Sequence, residues 1–158
     1  MRVAVLAAAL WAAAAPMAAT AQVNAPVPST CTPDVNAKLA QLVAGGERRE
    51  IDNVMVCGIT VSASRTQRGY AHRDHQLLTL RVLLPGVGAR LVQVATNDDL
   101  DGVVTAPAHV AVFAYGQYYA GRGRFAAGIH DVHCATHRGA ANGWVVVAGT
   151  RYPPRSCR

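Results

Sequence analysis

The spacing of apolar residues predicts one helix followed by a series of short strands. Apolar side chains at positions 35, 39, 42 and 43 form a stripe at helical spacing. Thr32 and Pro33 form a typical helix start, and Gly45 with Gly46 a typical end. From residue 53 onward the period becomes twofold, which is typical of strands with one buried face.

Five segments carry a strand pattern, at residues 59–63, 78–84, 90–95, 109–119 and 144–148. A polar stretch at 97–102 predicts a cap or a single helical turn between the third and fourth of them. Five short strands behind one N-terminal helix predict a mostly β fold, a small five-stranded antiparallel barrel of the oligonucleotide/oligosaccharide-binding (OB) type. A β-sandwich is the alternative.

The first residues have the composition of a secretory signal peptide. Arg2 precedes an apolar run at 3–15, and small residues end at Ala21, a typical cleavage site. The run is shorter than the roughly 20 residues of a membrane span, and Pro16 interrupts it. We expect residues 1–21 to be removed, 22–31 to be a flexible lead-in and 32–158 to form one domain. The mature chain is then an exported monomer, periplasmic or extracellular, with no transmembrane span.

The even number of cysteines predicts two disulfides in an exported chain. Three pairings of Cys31, Cys57, Cys134 and Cys157 are possible. We favour Cys31 with Cys57 and Cys134 with Cys157, because each pair then ties a terminal segment to a nearby strand or loop.

Positive charge is concentrated in the C-terminal part of the chain. Without Arg2 the chain has 14 basic and 9 acidic side chains, a net charge of about +5. Residues 102–158 contain six arginines and a single acid, Asp131. Arginine suits bidentate recognition of phosphate and carboxylate. The charge therefore predicts nucleic acid or another polyanion as the partner.

Three of the six histidines lie within eight positions, at His130, His133 and His137. In a helix they would share one face and could bind a divalent metal, Zn or Mg, whereas in a strand His130 and His133 would point to opposite faces. Structural histidines are the competing interpretation. More polar residues stand at other strand ends, where a barrel places site residues. The predicted catalytic set is His75, Asn97, Asp99, His130 and His133.

This set favours a phosphodiesterase or nuclease, because imidazole exchanges protons near neutral pH and guanidinium groups hold phosphate. The predicted substrate-binding residues are Arg73, Gln76, Tyr118, Arg122, Arg124 and Trp144. The alternative is a non-catalytic binding module for nucleic acid or glycan polyanions, with the aromatic rings as stacking platforms.

The order of several short motifs also points to a family. They are His75-Gln76, Asn97-x-Asp99-Leu100, Tyr115-Gly116-x-Tyr118, Gly128-Ile-His130-x-x-His133 and Gly143-Trp144. In these motifs residues 57–152 resemble a bacterial group catalogued as domain-of-unknown-function family 3465. The resemblance implies a compact β-barrel and a shared polar site, without an assigned activity. This chain has Cys134-Ala135-Thr136 where the family has His-Asp-Pro, and Ala140 where it has a later histidine, so the family's site is altered here.

Overall fold

The computed structural model describes residues 25–69, 73–154 and 157. The predicted signal peptide, residues 1–21, lies outside this range. None of the helices in the described part of the chain is both long and apolar enough to cross a membrane.

The predicted N-terminal helix is present, and it begins as a tighter turn. A 3₁₀ helix at Pro33–Asn36 continues as α1, Ala37–Ala44. The Thr32 hydroxyl makes no capping bond, and the Thr32 carbonyl instead accepts the Val35 N–H at 3.1 Å. Buried Asn36 fixes the helix to the sheet, because its side chain bonds both the N–H and the carbonyl of Cys57.

Eight strands and a one-turn helix follow in the described part of the chain. The element bounds are β1 Ile51–Thr60, β2 Arg65–Gln67, β3 His75–Leu84, β4 Gly88–Asn97, α2 Asp98–Asp101, β5 Ala111–Ala120, β6 Ala127–His130, β7 Trp144–Val147 and β8 Thr150–Tyr152. The predicted turn at 97–102 is confirmed as α2, which Asn97 caps by accepting the Asp99 N–H.

Five of these strands close into a barrel in the order β1-β3-β4-β6-β5, with β5 returning to β1. All pairs are antiparallel except β4 with β6, which run parallel. The other three strands are additions, with β2 on β3, β7 on β5 and β8 on β7. The predicted mostly β, five-stranded barrel is confirmed, and its strand order is that of an OB-type barrel.

The fifth barrel strand is not the predicted one. It is β6, a four-residue segment too short and too rich in small residues for its period to be recognised. The predicted strand at 144–148 is β7, which extends the sheet beyond β5. The first strand starts earlier than predicted, at Ile51, and residues 61–63 follow its end.

Alternation along the strands fills the barrel with aliphatic side chains. Leu78, Leu80 and Val82 of β3 face Val92 and Val94 of β4 in one continuous cluster, which α1 covers with Leu39. Full burial of each such side chain stabilises the fold by about 1.5–3 kcal/mol.

Both predicted disulfides are confirmed. Cys31 joins Cys57 and Cys134 joins Cys157, across 26 and 23 residues of chain. The lead-in also contacts the barrel, because the indole N–H of Trp144 donates to the Ala25 carbonyl at 2.9 Å. Ala25, Cys31 and Cys157 are therefore each fastened to the barrel or to the loop after β6.

Candidate functional site

A cleft of about 690 Å³ lies on the outer face of the barrel, across β3, β4, β6 and the end of β5. Because even-numbered residues of β3 and β4 fill the core, the outward positions fall on His75, Gln93 and Asn97. His75 and Asn97 lie directly opposite each other in the β3–β4 register. Gln67 of β2 and Arg122, after β5, stand at the two sides of the cleft.

The floor of the cleft is Tyr119, which lies over Gly128. A Cβ atom on Gly128 would lie 1.9 Å from the Tyr119 ring, so only glycine leaves room for it. The Tyr119 hydroxyl donates to Gln93 Oε1 at 3.1 Å, and the ring meets His130 edge-on at 5.2 Å. Burial raises the pKa of Tyr119, so its hydroxyl remains a donor that holds the floor in place.

At one wall of the cleft, the Asp131 carboxylate lies between two imidazoles. Asp131 Oδ1 is 3.7 Å from His130 Nδ1 and 3.6 Å from His133 Nε2. On the far side of His130, Glu50 Oε1 lies 3.8 Å from Nε2.

The hydrogen bond of His133 sets its tautomer. Nδ1 lies 2.9 Å from the Cys134 carbonyl oxygen, which can only accept, so Nδ1 carries the hydrogen. In the neutral ring Nε2 then keeps a lone pair and can accept a proton beside Asp131. His130 differs, because its Nε2 is buried and has no hydrogen-bond partner among the residues that the structure describes.

Two glycines allow the loop after β6 to lie flat against β5. A Cβ atom on Gly116 would be 2.3 Å from the His130 carbonyl, and one on Gly143 would be 2.3 Å from the Asp131 carbonyl. The Gly143 N–H also donates to the His133 carbonyl at 2.6 Å. Asp131 itself has a φ of +50°, a left-handed conformation uncommon for a residue other than glycine. Close backbone packing therefore fixes where the two imidazoles point.

The sequence prediction did not single out Asp101, a buried carboxyl group near His133 that lies outside the described lining of the cleft. Asp101 is 3 % exposed, and its Oδ2 accepts the Asn97 N–H at 2.7 Å. Its Oδ1 is buried without a hydrogen-bond partner in the described part of the chain. Burial raises the pKa of Asp101 to about 6, against the Asn97 hydrogen bond and the nearby His133, which lower it.

Asp99, which belongs to the predicted catalytic set, is exposed on α2 and lies outside the described lining of the cleft. A one-turn helix directs successive side chains to different sides, so its last acid points inward while its second does not. The available signal in the sequence was that Asp101 stands four positions after the capping residue Asn97, and so on the same side of a helical turn.

The structure brings together four of the five predicted catalytic residues and separates most of the predicted substrate contacts. His75, Asn97, His130 and His133 line one cleft, with Arg122. Gln76 is buried, and both ends of its amide are bonded, to Thr66 and to Asp98. Arg73 and Arg124 are exposed and lie outside the described lining of the cleft.

The predicted stacking platforms are corrected by their burial. Trp144 and Tyr118 are 0 % and 2 % exposed, so neither can present a ring face to a ligand. The Tyr118 hydroxyl reaches out of the core only to donate to the Glu47 carbonyl. Their apolar surroundings in β7 and β5 explain the positions better than ligand binding does.

The predicted metal ligands are not gathered at one point. His137 is exposed in the loop and lines a second cavity of about 410 Å³, together with His133. Within residues 25–69, 73–154 and 157, no three His, Cys, Asp or Glu side chains are arranged to hold a metal ion. His130 is the last residue of β6, and residues 131–137 form neither helix nor strand.

Several residues of the cleft could not be assigned from sequence. Arg48 and Glu50 precede β1 and reach the cleft only because the barrel closes. Gln93 alternates with core residues in β4, so its outward direction was predictable although its contact with Tyr119 was not.

Fold and site together define an OB-type barrel with a histidine and carboxylate cleft on its outer face. No protein-family model, no curated protein and no solved structure matches this chain. The resemblance to family 3465 stays a prediction.

Proposed function

We propose that this protein is an exported phosphodiesterase that acts on nucleic acid, with His133 as its general base. The observation that carries the proposal is the His133 ring itself. Its Nδ1 is held by the Cys134 carbonyl, and its Nε2 lies 3.6 Å from Asp131 Oδ1 at the wall of a cleft shared with two more histidines. This is the arrangement that a general base needs, because the base must keep its lone pair in a fixed direction.

Two arginines, beside the carboxylates of Glu50 and Asp131, give the cleft groups that suit a phosphodiester. Arg48 and Arg122 line it and would neutralise charge on the phosphate oxygens. His75, on β3, stands at another wall of the same cleft and is the proposed general acid. His130 and Asp131 are positioning residues, since they hold each other and His133 rather than a substrate.

The position on the barrel supports nucleic acid in particular. In OB-type barrels the face of the second and third barrel strands, between two loops, binds oligonucleotides and oligosaccharides. Here those strands are β3 and β4, and the two loops are the connection that carries β2 and the connection between β5 and β6. This step is an analogy at the level of the fold.

Export is the second part of the proposal, and the disulfides support it. Two disulfides form and persist in an oxidising compartment, and the predicted signal peptide would deliver the chain there. The protein would act in the periplasm or outside the cell as a monomer. The proposal also allows a divalent cation, Zn or Mg, as a cofactor, which metal analysis of the purified protein would detect.

The second candidate function is a binding module for nucleic acid or glycan polyanions, without turnover. The OB-type location of the cleft favours it equally, whereas the burial of Trp144 and Tyr118 removes two of its stacking platforms. The two functions differ in one observable, which is cleavage. Binding alone would weaken steeply with salt and leave the polymer intact.

The test uses the oxidised mature chain, residues 22–158, with labelled single-stranded RNA and DNA. His133→Asn keeps a donor for the Cys134 carbonyl and removes Nε2, and we expect it to lower the cleavage rate by roughly 10²–10⁴-fold. His109→Asn is the matched control, because His109 lines a separate cavity with Ile59 and Arg81 and should leave the rate unchanged. A wild-type protein that binds without cleaving, with or without added Zn or Mg, would refute the enzyme proposal.

A further inference from the structure

The described lining of the cleft supplies acid and base groups but no free hydroxyl, thiol or amine side chain that could attack phosphorus. Among the described lining residues there is no serine, threonine, cysteine or lysine. The hydroxyl of Tyr119 is occupied by Gln93, and burial raises its pKa further from the anionic form. The imidazoles and carboxylates of the cleft already have assigned roles in proton transfer and positioning, so the nucleophile comes from outside the chain, either as water or as part of the substrate.

A nucleophile that belongs to the substrate has a large advantage in such a site. An oriented intramolecular group reacts as if present at about 10⁵–10⁸ M, so it needs only deprotonation and a proton for the leaving group. RNA carries this group as the ribose 2′-hydroxyl beside each phosphate. His133 and His75 supply the two proton transfers that the reaction requires, and Arg48 with Arg122 supplies the charge.

We infer that the substrate of this cleft is single-stranded RNA and that its own 2′-hydroxyl is the nucleophile, an inference that rests on the proposed phosphodiesterase function. His133 Nε2 takes the 2′-hydroxyl proton while the bond from O2′ to phosphorus forms. The bond from phosphorus to O5′ breaks, and His75, in its protonated form, gives its proton to O5′. The products are a 2′,3′-cyclic phosphate and a free 5′-hydroxyl, with no redox change and no water consumed.

The second cavity indicates where the rest of the RNA chain lies. It shares Asn97, Asp131 and His133 with the main cleft, so a strand that passes His133 has room on both sides. Its described charged lining is acidic, Asp52 and Asp131, without arginine or lysine. A cavity of this charge accepts the amino groups of a base rather than a phosphate. Cleavage is therefore internal to the strand, and the bases must be unpaired to enter.

The experiment compares three end-blocked strands of one sequence. They are RNA, the same RNA with one 2′-deoxy residue on the 5′ side of the cleaved bond, and DNA. We expect internal cleavage of RNA to a 2′,3′-cyclic phosphate, identified by mass spectrometry. The single 2′-deoxy change should lower cleavage of that bond by roughly 10⁵-fold or more while the dissociation constant of the strand stays within a few-fold.

The controls separate this inference from the function on which it rests. His133→Asn protein purified in parallel should leave RNA intact, which excludes a contaminating ribonuclease. Cleavage of DNA and of the 2′-deoxy bond at rates close to that of RNA would overturn the 2′-hydroxyl inference and leave the phosphodiesterase proposal standing. Binding of all three strands without cleavage would overturn both.

Discussion

Replacement of Asp101 by asparagine should stabilise the protein, and by more at neutral pH than in acid. The Asp101 carboxyl is buried beneath α2, and one of its oxygens accepts the Asn97 N–H at 2.7 Å. Its other oxygen has no hydrogen-bond partner among the described residues. The charged groups that act on it are His133, which favours the ionised form, and Asp131 with Asp98, which oppose it.

The size and sign of the effect follow from the shift of the pKa. Burial raises the pKa of Asp101 from 3.8 to about 6, and in the unfolded chain the lower value returns. Between these two pH values the folded protein keeps a proton that the unfolded chain has released, so stability falls as pH rises. A shift of about two units corresponds to about 3 kcal/mol of lost stability, complete above about pH 6.

Asparagine keeps an acceptor for the Asn97 N–H and never ionises. The free energy of unfolding of Asp101→Asn should therefore equal that of the wild type below about pH 3 and exceed it by about 3 kcal/mol at pH 7. Urea denaturation of the oxidised proteins at a series of pH values and constant ionic strength measures the difference. Asp99→Asn, on the exposed part of α2, is the control and should change stability by less than about 0.5 kcal/mol. A difference between Asp101→Asn and wild type that does not vary with pH would refute the reasoning.

Two further predictions concern the framework of the cleft. Gly116→Ala should cost about 1–3 kcal/mol of stability and lower the cleavage rate, because the new Cβ would press on the His130 carbonyl. The control is Gly45→Ala at the end of α1, which should change stability and cleavage little. Equal effects of the two variants would contradict this role of Gly116. Removal of either disulfide, by a pair of Cys→Ser substitutions, should cost roughly 2–4 kcal/mol, measured by urea denaturation. Only removal of the Cys134–Cys157 pair should also lower cleavage by the folded protein, because Cys134 follows His133 and its carbonyl holds the ring; equal activity of the two disulfide variants would count against that role.

The barrel was largely predictable because most of its strands are long enough for alternation to be visible. β3 and β4 each span ten residues with one aliphatic face, and both were placed nearly correctly. β6 could not be found in this way, since its four residues, Ala127–His130, contain one large aliphatic side chain. Its place in the barrel depends on parallel pairing with β4, a contact between distant parts of the chain that local periodicity does not encode.

The site was predictable to the extent that strand ends identify it. His75 and Asn97 face each other because they occupy paired positions at the ends of β3 and β4, just beyond the strand segments predicted at 78–84 and 90–95. The distinction between Asp99 and Asp101 depends on the direction of a single helical turn, and Arg48 is brought in by barrel closure. These relations are tertiary, so residue type and spacing alone do not specify them.

Three glycines of the motifs quoted above acquire a common explanation from the cleft. Gly116 and Gly143 let the loop after β6 approach β5 so closely that the carbonyls of His130 and Asp131 occupy the space of missing side chains. Gly128 does the same for the ring of Tyr119. The glycines therefore fix the position of the histidines, because a displaced loop would turn His133 away from both the Cys134 carbonyl and Asp131.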